Sequence, residues 1–369
     1  LRARPGARIE VFSMQRVRVG VIGLGEVAQI IHLPILEAVA GQYEIGAICD
    51  ISPTLLNVIG ERYGVEQRYL DFNELVQQPD LDAVFVLNSD EYHADCVIGA
   101  VRNGKHVLVE KPMCLTLREA EAIIQARDAA GVQVMVAYMR RFAPAFMEAI
   151  EEVKSLPSIG YARIRDIIGR NRLIIDQANA VLRPGDFPAG AQEDRSARAT
   201  RLVQEAIGDV APEFVRAYRL LLGLNSHDLS AMRELLGVPQ RVVAARQWRG
   251  GNYLTALFEY DGYCAVLETG VDDQVRFDAH IEVYGPDKSV RIQYDSPYIR
   301  HLPTTLTIQE TRGDALEERV VRPTFKDPYT HELEYFHRVA TQGVAPKTTP
   351  EDFTQDLRLI HEIVTALQA

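Results

Sequence analysis

Residues 17–28 read VRVGVIGLGEVA, a valine-rich apolar run that leads directly into a glycine-rich turn. A short run of this kind is typical of a buried β-strand. The turn has the pattern GxGxxG/A and consists of Gly23, Leu24, Gly25, Glu26, Val27 and Ala28. The first glycine permits a tight turn, the second lets the backbone approach a pyrophosphate, and the alanine lets the next helix pack closely. The stretch predicts a strand, a turn and a helix whose N-terminus binds dinucleotide phosphates.

Similar apolar runs recur up to residue 138 and alternate with helix-like segments. The further strands are predicted at 44–49, 83–87, 106–109 and 132–136, and the helices at about 27–39, 54–63, 92–103 and 117–130. Strands that are apolar on both faces and alternate with helices form parallel sheets covered on two sides. The sequence therefore predicts an N-terminal α/β domain of the Rossmann type, with a doubly wound parallel sheet, over residues 14–138.

The pattern changes in the second half of the chain. The polar stretch at about 176–200 contains two prolines and two glycines, which predicts a loop or mobile lid with helical pieces near 198–222. Helices are predicted at 142–155, 226–236, 331–341 and 352–367, and strands at 240–248, 253–259, 263–269, 279–284 and 288–293. Because few helices separate these strands, residues 139–369 are predicted to form an α+β domain with a large open, mostly antiparallel sheet.

Composition narrows the classes of partner. The chain has 369 residues, with 40 Lys and Arg against 51 Asp and Glu, a net charge of −11 that argues against nucleic-acid and membrane-surface binding. The sequence contains no run of about 18 apolar residues, so no membrane span is predicted. The four cysteines are widely spaced, which indicates reduced thiols in a cytoplasmic protein and no metal site. Residues 1–13 are interpreted as an upstream extension rather than a signal peptide, with Met14 as a plausible start.

Asp50 ends the second predicted strand, about twenty residues beyond the glycine turn. A carboxylate at this position accepts hydrogen bonds from the adenosine ribose hydroxyls and repels a 2′-phosphate, which predicts NAD as the cofactor, with NADP less favoured. Ser52 keeps NADP open, because a hydroxyl tolerates a phosphate. The alternative interpretation is that Asp50 is an acidic residue at a helix N-terminus.

From residue 83 the chain reads AVFVLNSDEYHADCVIGAVRNGKHVLVEKPM. The segments Gly104–Val107 (GKHV) and Glu110–Pro112 (EKP) resemble the Gfo/Idh/MocA family, named for glucose–fructose oxidoreductase and inositol dehydrogenase. Arg140-Arg141-Phe142 resembles the family's N-R-R-F motif, whereas Asn88-Ser89-Asp90 departs from its usual T-P-N. The similarity covers nearly the whole chain from Met14, except about 172–222. It implies a Rossmann domain followed by a substrate-binding and oligomerisation domain.

The resemblance also implies roles for individual residues. Catalysis is assigned to Lys111 and to His227, which opens a helix that ends at Leu235-Leu236-Gly237. Cofactor binding is assigned to the glycine turn and to Asp50, Asn88, His93, Glu110 and Lys111, and substrate binding to Lys111, Arg140, Asn225 and His227. Pro112 is expected to follow a cis peptide bond, as is common in the family.

One position near His227 differs from the family, and the difference concerns the carboxylate that usually pairs with the histidine. The family often carries an aspartate four residues before the histidine, where this chain has Gly223. Asp166, Asp176 and Asp228 are candidates to replace this carboxylate.

The predicted function is an NAD(P)-dependent oxidoreductase that transfers a hydride between nicotinamide and a sugar, inositol or related polyol or keto-sugar. Two alternatives stay open, an NAD-dependent glycoside hydrolase of the same fold and a non-catalytic dinucleotide-binding protein. An uncovered apolar face of the C-terminal sheet would be a surface for self-association, and the family is often dimeric or tetrameric. A homodimer or homotetramer is therefore expected.

Overall fold

A computed structural model describes residues 15–369, and its first half contains a six-stranded parallel sheet. The strands lie in the order β3-β2-β1-β4-β5-β6. Their bounds are β1 Val17–Ile22, β2 Tyr43–Cys49, β3 Gln67–Tyr69, β4 Ala83–Val86, β5 His106–Glu110 and β6 Val134–Ala137. This order is the doubly wound one and confirms the predicted Rossmann sheet. The predictions for residues 1–13 and Met14 lie outside the described residues.

Helices cover both faces of this sheet because its strands are apolar on both sides. A π-helical turn, Ala28–His32, continues directly into α1, Leu33–Ala38. The other helices are α2 Pro53–Tyr63, α3 Phe72–Val76, α4 His93–Arg102 and α5 Leu117–Ala130. Their positions agree with the predicted segments, while β3 and α3 were not predicted.

The second half is built on an eight-stranded sheet in the order β14-β13-β12-β11-β7-β10-β9-β8. Its strands are β7 Tyr161–Gly169, β8 Arg241–Trp248, β9 Tyr253–Tyr260, β10 Tyr263–Asp272, β11 Phe277–Tyr284, β12 Lys288–Tyr294, β13 Thr305–Arg312 and β14 Ala315–Val321. All pairings are antiparallel except that of β7 with β10, so the sheet is mostly antiparallel, as predicted.

The outer face of this sheet is charged along its central strands. Arg165 forms ion pairs with Glu268 at 2.9 Å and with Asp278 at 2.8 Å, and all three side chains are partly exposed. The opposite face carries the apolar residues of β7 and packs on helices. These outward positions of the central strands are charged, where an apolar face was predicted, while Leu257 and Val266 are apolar residues at other outward, partly exposed positions.

Most of the predicted loop between β7 and β8 is helical. The helices of the second half are α6 Pro144–Lys154, α7 Asn171–Ala178, α8 Ala191–Ile207, α9 Pro212–Leu220, α10 Ser226–Leu236, α11 Pro328–Gln342 and α12 Pro350–Gln368. Within the predicted loop at 176–200, residues 179–190 are not helical, and they contain all four of the prolines and glycines that predicted a loop. Among residues 15–369, no helix is both long enough and apolar enough to cross a membrane.

Candidate active site

The glycine turn after β1 fits the phosphates of a dinucleotide. Gly23 has a φ of 93°, and a Cβ there would lie 2.5 Å from backbone atoms of Asn88. A Cβ on Gly25 would meet no atom within 4 Å, so its backbone borders open space. Ala28 is fully buried at the start of the helical segment. The turn therefore presents bare backbone at a helix N-terminus, where free N–H groups favour an anion.

Asp50 lies at the carboxyl end of β2, beside this turn. Its Oδ2 accepts a hydrogen bond from the Leu24 N–H at 2.8 Å, and its Oδ1 accepts one from the Ser52 N–H at 2.9 Å. Burial raises the pKa of Asp50, while the backbone hydrogen bonds oppose that rise. The carboxylate is thus fixed at the edge of the sheet where ligands bind in folds of this kind.

His93 connects the loops that follow β4 and β5. Its Nδ1 lies 2.8 Å from the carbonyl oxygen of Pro112, and its Nε2 lies 3.0 Å from that of Asn88. The Lys111–Pro112 peptide bond is cis, as the family resemblance implies. The Oδ1 of Asn88 is buried and has no hydrogen-bond partner within the described chain.

Glu110, the last residue of β5, has a partner that the sequence did not reveal. Its Oε1 lies 2.8 Å from Nε2 of His32, and its Oε2 accepts from the Lys111 N–H at 3.1 Å. Burial alone would raise the pKa of Glu110, but the His32 contact and the Lys111 cation lower it. The carboxylate therefore stays charged next to Lys111.

Lys111 and His227 come together although they belong to different halves of the chain. The ammonium of Lys111 donates to the carbonyl oxygen of Gly223, four residues before His227. Burial lowers the pKa of Lys111, and Glu110 opposes this effect. Burial also lowers the pKa of His227 well below its usual value of 6.5, and the cations of Lys111 and Arg140 lower it further. A neutral imidazole thus lies near an ammonium group.

Arg140 lies near this pair in a buried cluster of charged and polar side chains, in which Asp166 Oδ1 and Asn225 Oδ1 have no hydrogen-bond partner among residues 15–369. Its guanidinium donates to Asp228 and, at 2.9 Å, to Asp166, and all three side chains are buried, with Arg140 only 3% exposed. Asn225 donates to Asp228 at 3.1 Å. Burial and the neighbouring Asp166 raise the pKa of Asp228, and Arg140 opposes the rise.

None of the three aspartates proposed to replace the missing carboxylate contacts the imidazole of His227. Asp166 and Asp228 bind Arg140, and Asp176 pairs with Arg183 at 2.9 Å. The Nδ1 of His227 is buried without a hydrogen-bond partner among residues 15–369. The position of the usual aspartate is open, because a Cβ on Gly223 would meet no atom within 4 Å.

Replacing Gly223 with aspartate is therefore expected to give a folded protein with a carboxylate beside Lys111. We assign the alkaline limb of the kcat profile to the loss of the proton from Lys111. An added carboxylate favours the ammonium form of Lys111, so this limb should move to higher pH, by less than about one unit at this exposed position. Gly223→Asn is the control, because it adds similar bulk without charge and should leave the limb in place. An equal shift in both variants would contradict the assignment of this limb to Lys111.

Comparison with known proteins agrees with this geometry. The sequence model of the Gfo/Idh/MocA oxidoreductase family, with an NAD-binding Rossmann fold, matches residues 17–138. The myo-inositol 2-dehydrogenase of Thermotoga maritima is 26% identical over 350 residues, which cover 91% of this chain and 92% of that protein. Residues 17–138 therefore match the Gfo/Idh/MocA oxidoreductase family. The matched residues contain the glycine turn and the six strands of the first sheet.

Two further proteins resemble this chain along nearly its whole length. A protein of Haloferax volcanii named D-xylose 1-dehydrogenase (NADP(+)) 2 is 25% identical and covers 93% of this chain and 95% of its own length. The crystal structure of the aldose–aldose oxidoreductase of Caulobacter crescentus has a TM-score of 0.73 and 23% identity, and covers 96% of this chain and 98% of that one. The structural likeness supports the two-sheet fold along nearly the whole oxidoreductase chain.

Proposed function

We propose that the protein is an NAD(P)-dependent dehydrogenase or reductase that acts on the CH–OH group of a sugar, an inositol or a related polyol or keto-sugar. The observation that carries this proposal is the meeting of Lys111 and His227 at the carboxyl edge of the Rossmann sheet. An ammonium and a neutral imidazole are the two groups needed at a reacting hydroxyl. The named relatives, which act on a cyclic polyol and on a sugar, support the substrate class.

The residues of the first sheet would hold the dinucleotide. The turn Gly23–Ala28 would receive the pyrophosphate, Asp50 would accept from the adenosine ribose, and Asn88 and Glu110 would lie toward the nicotinamide end. We assign His93 to fixing the two loops, since both its ring nitrogens contact backbone oxygens. When bound, the nicotinamide supplies the hydride acceptor or donor.

His227 and Lys111 would act on the reacting hydroxyl group of the substrate and on its proton. His227 would accept the hydroxyl proton during oxidation, because its lowered pKa keeps it neutral at neutral pH. The ammonium of Lys111 would stabilise the negative charge that develops on the same oxygen. Arg140 and Asn225 were predicted to contact substrate; we propose instead that they position His227, because the Arg140 guanidinium and the Asn225 amide nitrogen donate to Asp228, the next residue in the chain.

The test is a panel of sugars, inositols and sugar acids, each assayed with NAD and with NADP in both directions. The proposal expects reduced nicotinamide to accumulate with at least one polyol or sugar. A substrate cleaved without any net change in nicotinamide would instead indicate a hydrolase. The hydrolase and the non-catalytic alternatives gain no support from the relatives named above, which are dehydrogenases.

Four further predictions are proposals. A preference for NAD is proposed on the strength of Asp50, although one relative is named for NADP(+). A homodimer or homotetramer is proposed from the family resemblance, and light scattering after size exclusion tests it. A cytoplasmic location and the division at residue 139 also remain predictions.

A further inference from the structure

The chain between α7 and α8 lies across the glycine turn of the first sheet. We call residues 179–187 the strap. The side chain of Gln29 donates to the carbonyl oxygens of Leu24 at 2.8 Å and of Leu182 at 3.0 Å, and accepts from the Leu182 N–H at 2.9 Å. Gln29 is buried in the helical segment that follows the turn. The Gln29 side chain therefore links the strap to the backbone of the glycine turn.

A second contact holds the strap at the outer side of the turn. Arg183 donates to Glu26 at 2.6 Å and to Asp176 on α7 at 2.9 Å. Glu26 belongs to the glycine turn, so the ion pair links the strap to the turn itself. Together with Gln29, this pair fixes the course of the strap toward the ribose end of the crevice.

The strap places Asp186 at the ribose end. Its Oδ1 accepts from the Ser52 hydroxyl at 2.6 Å, and its Oδ2 accepts from the Thr54 N–H at 2.9 Å. These hydrogen bonds lower the pKa of Asp186 to about 2, so it is an anion at neutral pH. Asp186 also contributes to the raised pKa of Asp50, which lies two residues before Ser52. Two carboxylates therefore lie close together beside the first turn of α2.

The two cofactors differ only at this end of the molecule. A ribose 2′-hydroxyl is neutral and can donate to a carboxylate, whereas a 2′-phosphate is a dianion that needs donors. The Ser52 hydroxyl and the Thr54 N–H are donors of that kind, and both are already taken by Asp186. A 2′-phosphate would have to displace this carboxylate and would still face Asp50.

We propose that Asp186, carried on the strap by the second half of the chain, is a specificity-determining residue that selects NAD(H) over NADP(H). This inference rests on the proposed function, since it requires a dinucleotide in the crevice of the first sheet. It explains how Ser52 can lie beside Asp50 without offering its hydroxyl to a phosphate. The preference is thereby set by a contact between residues 134 positions apart, not by the end of β2 alone.

The test measures binding without turnover. NADH and NADPH are titrated separately into the full chain, and nicotinamide fluorescence gives each Kd. Asp186→Ala is expected to lower the ratio of Kd for NADPH to Kd for NADH at least about tenfold, equivalent to about 1.4 kcal/mol. The control is Asp273→Ala, which removes the same charge from an exposed residue paired with Arg170 and should leave the ratio unchanged.

A second variant tests the role of the freed donor. In Asp186→Ala/Ser52→Ala, the gain in NADPH affinity should be smaller than in Asp186→Ala, because the Ser52 hydroxyl is no longer available. If both nucleotides bind and Asp186→Ala leaves the ratio as in wild type, the inference is overturned while the proposed function stands. If neither nucleotide binds the wild-type chain, the proposed function fails and this inference fails with it.

Discussion

Replacing His227 with alanine is expected to lower kcat by about 10²- to 10⁴-fold while the Kd for NADH stays near the wild-type value. A loss of this size is usual when a positioned general base is removed. The cofactor affinity is spared because the glycine turn and Asp50 belong to the other half of the chain. Steady-state kinetics and a fluorescence titration of NADH measure the two quantities separately.

The matched control is His361→Ala. His361 is exposed on α12, and the alanine variant should keep wild-type kcat and NADH affinity. A parallel loss of kcat and of NADH binding in His227→Ala would contradict the base role, because it would indicate a disturbed cleft. So would a kcat within a few-fold of wild type.

The pH profile gives an independent check on His227. The imidazole acts as a base only when neutral, and its pKa is lowered from the usual 6.5 by burial and by two nearby cations. Oxidation should therefore be lost as the pH falls through this lowered value, so the acid limb of kcat/KM lies below pH 6.5. The limb should be missing from the residual activity of His227→Ala. An acid limb above the usual value would contradict the buried, neutral imidazole.

The first sheet was predictable because its signals are local. Each strand is a short apolar run, and the glycine turn follows β1 directly, so the order of elements can be read along the chain. The segments that were missed carry weaker signals. Only Leu202 and Val203 are buried in α8, and in β7 the inward-facing Asp166 interrupts the apolar alternation. Strand β14 is mostly exposed and lacks an apolar face altogether.

The site was predictable in its members but not in its contacts. The family resemblance pointed to Lys111 and His227, and the structure brings them together. The family resemblance could not reveal that His32 binds Glu110, 78 residues away, or that Asp186 binds Ser52. Such pairs depend on how the two sheets and the strap meet, and no periodicity within one segment records that geometry.

Replacing Arg140 with methionine is expected to lower the free energy of unfolding by about 3–5 kcal/mol. The substitution removes the cation that lies between Asp166 and Asp228, both of which are fully buried. It also removes the contact of the guanidinium with the ring of Tyr294, 4.9 Å from its centroid. Urea denaturation, with the midpoint and slope fitted separately, measures the loss.

The dependence of this loss on pH distinguishes a buried charge from a packing defect. Without Arg140, the main contribution that opposes the raised pKa of Asp228 is lost, so this pKa rises further above its unfolded value. The folded state then binds more protons, so the variant recovers stability as the pH falls and loses most at high pH. Arg140→Met should accordingly show a smaller deficit at pH 5 than at pH 8, and adding Asp228→Asn should reduce the deficit at pH 8.

Arg118→Met is the control, since Arg118 forms an exposed ion pair with Glu205 at 2.7 Å and its loss should cost less than about 1 kcal/mol at either pH. A deficit in Arg140→Met that is the same at both pH values would mean that the guanidinium contributes through packing and not through its charge.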